Sequence, residues 1–308
     1  MVDADENFDG TFPFVPRFSS AAGFQMHYID EGAGKPILCL HGQPSWSYLY
    51  RDIIRRLAPR HRVIAPDHMG FGKSETPQDR SYLFADHVDN IVKLVIDLDL
   101  DDITLVVHDW GGLIGSAMAM RLRERVSRLV VINSMVRTGD PQELLVSMRN
   151  NQEAAYFQWM ARLHAAGTLD SVMGEIGSII LSVMKGLQGV ERNVDGTWLR
   201  AYSTPFPNPD AARGAIAFPK SIVSGTLALD PVPAEDSEWL RGLPAMMIYG
   251  MRDHVLLARH MIPLFEAAFP GAPVHRLENA GHFAQEDAPE TIALLIDEFV
   301  SRAPFAHS

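Results

Sequence analysis

Residues 103–112 read Ile103-Thr104-Leu105-Val106-Val107-His108-Asp109-Trp110-Gly111-Gly112, and LIGSAMAMRLRERV follows at 113–126. The apolar, β-branched run reads as a buried strand, and the stretch from Trp110 onward has helical composition. Asp109 falls at the junction. Gly111 and Gly112 permit a tight strand-to-helix turn and a close approach of helix to sheet. Such a turn thrusts its central side chain out at the carboxyl edge of a sheet, the geometry of a nucleophile elbow, here with aspartate at its tip. The N-terminus of the helix behind it favours an anion. The plainer reading makes Asp109 an N-cap, a common role for aspartate. The residues that accompany it decide between the two.

On either side of the elbow the chain alternates strands and helices. FQMHYIDEG (24–32) and PILCLHG (36–42) read as a strand pair joined by a turn at Gly32 and Gly34. A helical pattern over SWSYLYRDIIRRLAP (45–59), a short apolar strand RVIAPD (62–67) and an amphipathic helix FADHVDNIVKLVIDLDL (84–100) follow. SRLVVIN (127–133) is another buried strand. Apolar runs separated by helices indicate βαβ units and a mostly parallel sheet, an α/β fold. From Val136 to Arg241 the rhythm changes to helix-like segments rich in Met, Leu and Trp, interrupted by TPFPNPD (204–210). It resumes with PAMMIYG (244–250), PVHRLEN (273–279) and the helix PETIALLIDEFVSRA (289–303). The expected organisation is an α/β core made of residues 1–135 and 242–308, with 136–241 as an inserted helical cap and its return segment.

Composition excludes several functions. Lys plus Arg number 27 against 38 Asp plus Glu, a formal charge of −11, which repels phosphate backbones and argues against nucleic acid as a partner. No apolar stretch approaches the length of a membrane helix, and the acidic first ten residues do not resemble a signal peptide. A cytoplasmic protein is expected. Cys39 is the only cysteine, so no intramolecular disulfide can form. The twelve histidines are scattered without metal-ligand spacing, so neither a metal nor a cofactor is expected. GFGKS (70–74) lacks the earlier glycine of a phosphate loop, whose place Asp67 takes.

Two further segments place chemistry at strand ends. Tyr249-Gly250-Met251-Arg252-Asp253 follows one apolar strand, and Asn279-Ala280-Gly281-His282-Phe283 follows another. Nucleophile, acid and histidine then occur in the chain order Asp109, Asp253, His282 that this kind of sheet uses for a triad. A lone loop histidine is more often solvated than catalytic, but three strand-end positions in this order favour catalysis. Upstream, His41-Gly42-Gln43-Pro44 follows the strand PILCL. The Gln43 backbone N–H, together with that of Trp110, would form an oxyanion hole. His41 itself reads as a structural hydrogen-bonding residue beneath the site.

With these residues in hand, the chain resembles the haloalkane dehalogenases, a branch of the α/β-hydrolase superfamily, over nearly its full length. The carriers are HGQPSWSYLYR (41–51), VIAPDHMGFGKSE (63–75), LVVHDWGG (105–112), PFPNPDAARGAIAFP (205–219), YGMRDHVL (249–256) and NAGHFAQE (279–286). The resemblance implies Asp109 as nucleophile, His282 as base and Asp253 as the triad acid. Some relatives carry that acid after the strand preceding the cap, where this chain has Asn133, which cannot ionise. It also implies two N–H donors for halide: the indole of Trp110, and either a cap tryptophan, Trp159, or the side chain directly after His41-Gly42. Gln43 stands there instead of the family's asparagine, and Trp159 is the expected second donor. The implied reaction is hydrolysis of a small apolar haloalkane through an alkyl ester of Asp109, with halide and alcohol as products. Two alternatives stay open: an epoxide hydrolase using Tyr156 and Tyr202 as acidic hydroxyls, and a non-catalytic hydrolase-fold binding protein. Oligomeric state is not legible.

Overall fold

In the computed structural model, which describes residues 2–139, 146, 148, 151–185, 189 and 194–302, eight strands form one sheet. They are β1 (Arg17–Ser19), β2 (Met26–Glu31), β3 (Pro36–Leu40), β4 (Arg62–Pro66), β5 (Ile103–Asp109), β6 (Val126–Ser134), β7 (Ala245–Gly250) and β8 (Val274–Leu277). The spatial order is β1-β2-β4-β3-β5-β6-β7-β8. β1–β2 and β2–β4 are antiparallel, and every other pair is parallel. β2 and β3 are therefore not partners, contrary to the hairpin expected from the sequence: β4 lies between them. The reason lies in their faces. All five residues of β3 are buried, so it needs a neighbour on both sides, whereas β2 keeps partly exposed positions suited to a more peripheral place.

The strands nearest the elbow are almost entirely apolar. Leu105, Val106 and Val107 are fully buried, each worth about 1.5–3 kcal/mol of transfer free energy. Helices flank the sheet: α1 (Arg51–Leu57), α2 (Phe84–Asp97) and α3 (Trp110–Arg121) from the first half, then α10 (Ala258–Ala268), α11 (Ala284–Asp287) and α12 (Pro289–Arg302). α1 packs on α12, and α3 on α2.

Between β6 and β7 every regular element among the described residues is helical: α4 (Ala155–Ala165), α5 (Leu169–Gly174), α6 (Ile176–Lys185), α7 (Gly196–Ser203), α8 (Arg213–Val223) and α9 (Ala234–Arg241), with a short 3-10 turn at Asn151–Glu153. α4 and α5 pack on α8, α6 packs on α7, and α9 returns to pack on α3. This layer is pinned to the core through polar groups. Trp46 Nε1 donates to the Ala201 carbonyl at 2.9 Å, and the Tyr202 hydroxyl donates to buried Glu286, which also takes a bidentate grip from Arg51. A buried ion pair is tolerated when its remaining valences are satisfied, and here a cap hydroxyl contributes to that. No helix among the described residues is long and apolar enough to cross a membrane.

Candidate active site

At the end of β5 the register against β6 slips between His108 and Asp109, and Asp109 adopts φ 50°, ψ −123°. A left-handed φ on a non-glycine residue is strained, and such strain concentrates at functional positions. The glycines explain how the turn closes. A Cβ on Gly111 would lie 2.3 Å from the Leu40 carbonyl oxygen, and one on Gly112 would lie 2.1 Å from Ser134 Oγ. Ser134 Oγ donates to the Asp109 carbonyl at 2.6 Å, holding the turn from β6. The Asp109 side chain makes no capping bond to α3 beyond the adjacent Trp110 N–H, so helix capping does not account for it.

Instead its carboxylate faces the loops after β3 and β8. Oδ1 accepts the Gln43 backbone N–H at 2.9 Å, the Trp110 backbone N–H also points to the carboxylate, and Oδ2 lies 3.4 Å from His282 Nε2. On its other side, His282 Nδ1 lies 2.9 Å from Asp253 Oδ2. Asp253 is buried and well provided for: Oδ1 accepts the Val255 and Leu256 N–H groups at 2.7 and 2.9 Å, and Oδ2 accepts Asn133 Nδ2 at 2.8 Å. One imidazole thus bridges two carboxylates, and the three groups come from the ends of β5, β7 and β8.

The electrostatics follow from that bridge. Burial opposes charge on His282, yet the Asp253 charge and the hydrogen bonds to Asp109 and Asp253 raise its pKa to about 10. Burial likewise opposes the Asp109 carboxylate, but the hydrogen bond and charge of His282 hold it below the usual carboxylate range. Both shifts favour a charge-paired contact between the Asp109 carboxylate and His282. His108, fully buried behind the elbow, is pushed down to about 4 by burial and by the charge of His282, and its Nε2 donates to the His282 carbonyl at 2.9 Å.

A cavity opens directly on these groups. It is lined by Asp109, Trp110 and His282 from the core, and by Gln43, Tyr156 and Ile222 among others. An adjoining apolar chamber shares Asp109, Trp110, Phe157 and Ile222, and continues along Leu113, Met135 and Met148. Trp110 is nearly buried, its ring stacked on Phe218 at 4.4 Å and 16°.

Trp159 is absent from both linings. It is half-buried against the cap core, with its ring 6.2 Å from Tyr156 in edge geometry. The part of α4 turned to the cavity carries Tyr156 and Phe157, and Trp159 lies nearly a turn further along the helix. Gln43 is at the cavity. Its Oε1 accepts the Tyr156 hydroxyl at 3.1 Å and its Nε2 donates to the Ala215 carbonyl at 3.3 Å, leaving the second amide hydrogen to spare. Tyr202 does not reach the cavity; Glu286 holds it.

Three residues at the site escape sequence reasoning in their actual roles. His108 carried a signal, a histidine inside an otherwise apolar strand. Asn133 is the clamp on Asp253 and also pairs with the Gly250 peptide through its amide, with Gly250 N to Asn133 Oδ1 at 2.8 Å. Tyr156 gave no signal as the partner of Gln43, 113 positions away. His41 accepts the His68 N–H and bonds the Gly42 carbonyl, a structural role beneath the loop. No group of three or more His, Cys, Asp or Glu among the described residues is arranged to hold a metal ion.

A strained elbow, an acid and a histidine on later strand ends, and helices inserted after β6 together define an α/β-hydrolase, and residues 35–289 match the alpha/beta hydrolase fold family. The chain is 34% identical over 301 residues to haloalkane dehalogenase 2 of Mycobacterium tuberculosis, covering 93% of this chain and 95% of that one. It is 31% identical over 309 residues to the cis-3-alkyl-4-alkyloxetan-2-one decarboxylase of Shewanella oneidensis, covering 95% and 90%. Among solved structures, the tetrameric haloalkane dehalogenase DpaA from Paraglaciecola agarilytica NO2 superposes with a TM-score of 0.72 at 28% identity, over 100% of this chain and 99% of that one. Within the superfamily this chain belongs to the haloalkane dehalogenase family.

Proposed function

We propose that this protein hydrolyses small apolar haloalkanes to alcohol and halide through an alkyl ester of Asp109. The observation that carries the reading is a cavity onto which a preformed carboxylate, an indole and a buried histidine all open, continuing into an apolar chamber. Asp109 is ionised at neutral pH and needs no base to attack a saturated carbon. Its oxygen forms the new C–O bond as the carbon–halogen bond breaks, and the electron pair leaves with the halide. Trp110 Nε1–H and the spare Gln43 amide N–H are the donors for that charge, with Gln43 taking the place expected for Trp159. Tyr156 and Ala215 hold the Gln43 amide in one orientation, so little reorganisation accompanies charge development.

Esterification then changes the charge around His282. One of the two carboxylates that hold its proton becomes neutral, so the imidazolium is less stabilised and releases that proton to solvent water. The neutral imidazole, oriented by Asp253, takes a proton from water, and the resulting hydroxide attacks the ester carbonyl carbon. The tetrahedral oxyanion forms where Gln43 N and Trp110 N now contact the Asp109 carboxylate. Collapse breaks the ester C–O bond, and the departing alkoxide takes up the proton of the newly added hydroxyl, so the alcohol leaves and the Asp109 carboxylate is restored. No step draws on a cofactor.

The test is halide release from a panel of bromoalkanes, repeated with His282→Phe. The variant should release about one bromide per site and stall, because water needs the base but the first displacement does not. Intact-protein mass spectrometry should then find the alkyl group, and peptide mapping should place it on Asp109. A folded His282→Phe protein that binds substrate without a burst contradicts this division of roles.

A second reading is opening of a strained oxygen ring by the same nucleophile. The Tyr156 hydroxyl at the cavity supports it, since burial and the nearby Asp109 charge keep that phenol protonated. A departing alkoxide needs such a proton, and a halide does not. Diol from an epoxide, or turnover of an alkyl oxetan-2-one, without bromide release from bromoalkanes, favours this reading over dehalogenation.

A further inference from the structure

Asp287, at the end of α11, accepts two backbone N–H groups on one carboxylate oxygen, each at 2.7 Å. One is Gly281 N, the peptide immediately before His282. The other is Gly189 N, from the inserted region. The Gly189 carbonyl in turn accepts Arg252 Nη1 at 2.9 Å, while Arg252 Nη2 donates to Asn279 Oδ1 at 2.7 Å. Arg252 immediately precedes the triad acid, and its own backbone N–H donates to the Ala280 carbonyl at 2.9 Å. The contact leaves no room for a side chain. A Cβ on Gly189 would lie 2.2 Å from the Asn279 carbonyl oxygen and 2.3 Å from Gly281 N.

The geometry points to Gly189 as a positioning residue, a cap peptide that locks the Asn279–Gly281 loop against Asp287 and Arg252 and thereby sets the Asp253–His282 pair for attack on the ester. The physical argument concerns which step notices. Asp109 is held by its own elbow and by the Gln43 and Trp110 N–H groups, none of which touch Gly189, and its contact with His282 passes no proton during the displacement of halide, so that step depends far less on the lock. Activation of water does, because it requires His282 to sit at a fixed angle to both Asp253 and the ester, and a shift near 1 Å in such an arrangement costs on the order of 100-fold. Exposed Arg252 contributes from outside the cavity, and buried Asp287 from beneath the loop.

The inference rests on the proposed roles of Asp109 and His282, and the experiment separates the two. Gly189→Ala introduces the clash, and Arg252→Met removes the two guanidinium bonds at a solvent-exposed position where folding is least at risk. Bromide release is followed by rapid mixing through the burst and into steady state, with the alkyl-enzyme quantified by intact mass. Both variants should keep a burst of about one bromide per site, slow the decay of the ester by roughly tenfold or more, and accumulate alkylated Asp109 as His282→Phe does. A general structural defect predicts instead that burst rate and steady-state rate fall together, and that result overturns the proposal. Wild-type ester decay in both variants overturns it as well. If His282→Phe itself gives no burst, the reading of the catalytic roles fails; if it traps the ester and the two lock variants do not, only the lock fails.

Discussion

Gly42→Ala adds one methyl group beside Asp109, the proposed nucleophile. The Cβ would lie 2.1 Å from Asp109 Oδ1, 2.4 Å from its Cβ and 2.6 Å from its Cγ. Ordinary contact between such atoms is roughly 3.5 Å, so the carboxylate has to move by about 1 Å or the loop after β3 has to back away by as much. Gly42 has no positive φ, so alanine meets no backbone penalty, and the stability cost is that of crowding, about 1–3 kcal/mol. Either movement breaks the 2.9 Å bond from Gln43 N to Oδ1 and misaligns the attacking oxygen. The expected loss in the alkylation rate is roughly 100-fold, about 2.7 kcal/mol, read as the bromide burst by rapid mixing. A thermal melt run beside it shows whether the fold survives. A folded Gly42→Ala protein with a burst within threefold of wild type refutes the proposed tight seating of Asp109 against this loop.

Trp110→Phe keeps the stack on Phe218 and the backbone N–H but deletes the indole donor; carbon–halogen cleavage should slow by about 2–4 kcal/mol, or roughly 30- to 1,000-fold, with weaker bromide inhibition, and unchanged bromide affinity contradicts the donor role. Asn133→Asp replaces a donor to Asp253 by an acceptor of the same shape, setting two carboxyl groups side by side; ester hydrolysis should slow while the bromide burst persists, and an unchanged steady-state rate argues against the clamp. Acid should unfold the protein early: burial holds His87 at about 3 and His108 at about 4 against about 6.5 unfolded, so the unfolded chain binds more protons below pH 6.5 and stability falls as pH drops. At about pH 5 each contributes a loss of about 2 kcal/mol. His87, whose ring nitrogens have no described partner and which faces His68, Tyr82 and the charge of His41, should be replaceable by leucine with a smaller stability gap between pH 7 and pH 5 by urea denaturation; an unaltered gap excludes it as the source.

Much of this was available before any coordinates. The apolar runs around β3, β5, β6 and β7 are long enough to demand burial on both faces, and that alone imposes a parallel sheet with helices on either side. The convergence of Asp109, Asp253 and His282 was expected because each sits at or shortly after the end of a strand, β5, β7 and β8 respectively, and a strand end is a fixed place in an α/β sheet. The pairing of β2 was misread because a Gly-containing turn fits a hairpin and a longer excursion equally well; only the competition among strands for neighbours put β4 between β2 and β3. The inserted helices were harder still. Periodicity marks which face of α4 is apolar but not how that helix is rotated over the core, and a rotation of about one residue sends Tyr156 and Phe157, rather than Trp159, toward the cavity. The partnerships of Gln43 with Tyr156, of Asp253 with Asn133 and of Gly189 with Asp287 span long stretches of chain. Each depends on the meeting of elements that have no local reason to meet. Local sequence set the strands, the elbow and the order of the reactive groups, and tertiary packing decided which side chains turn toward Asp109.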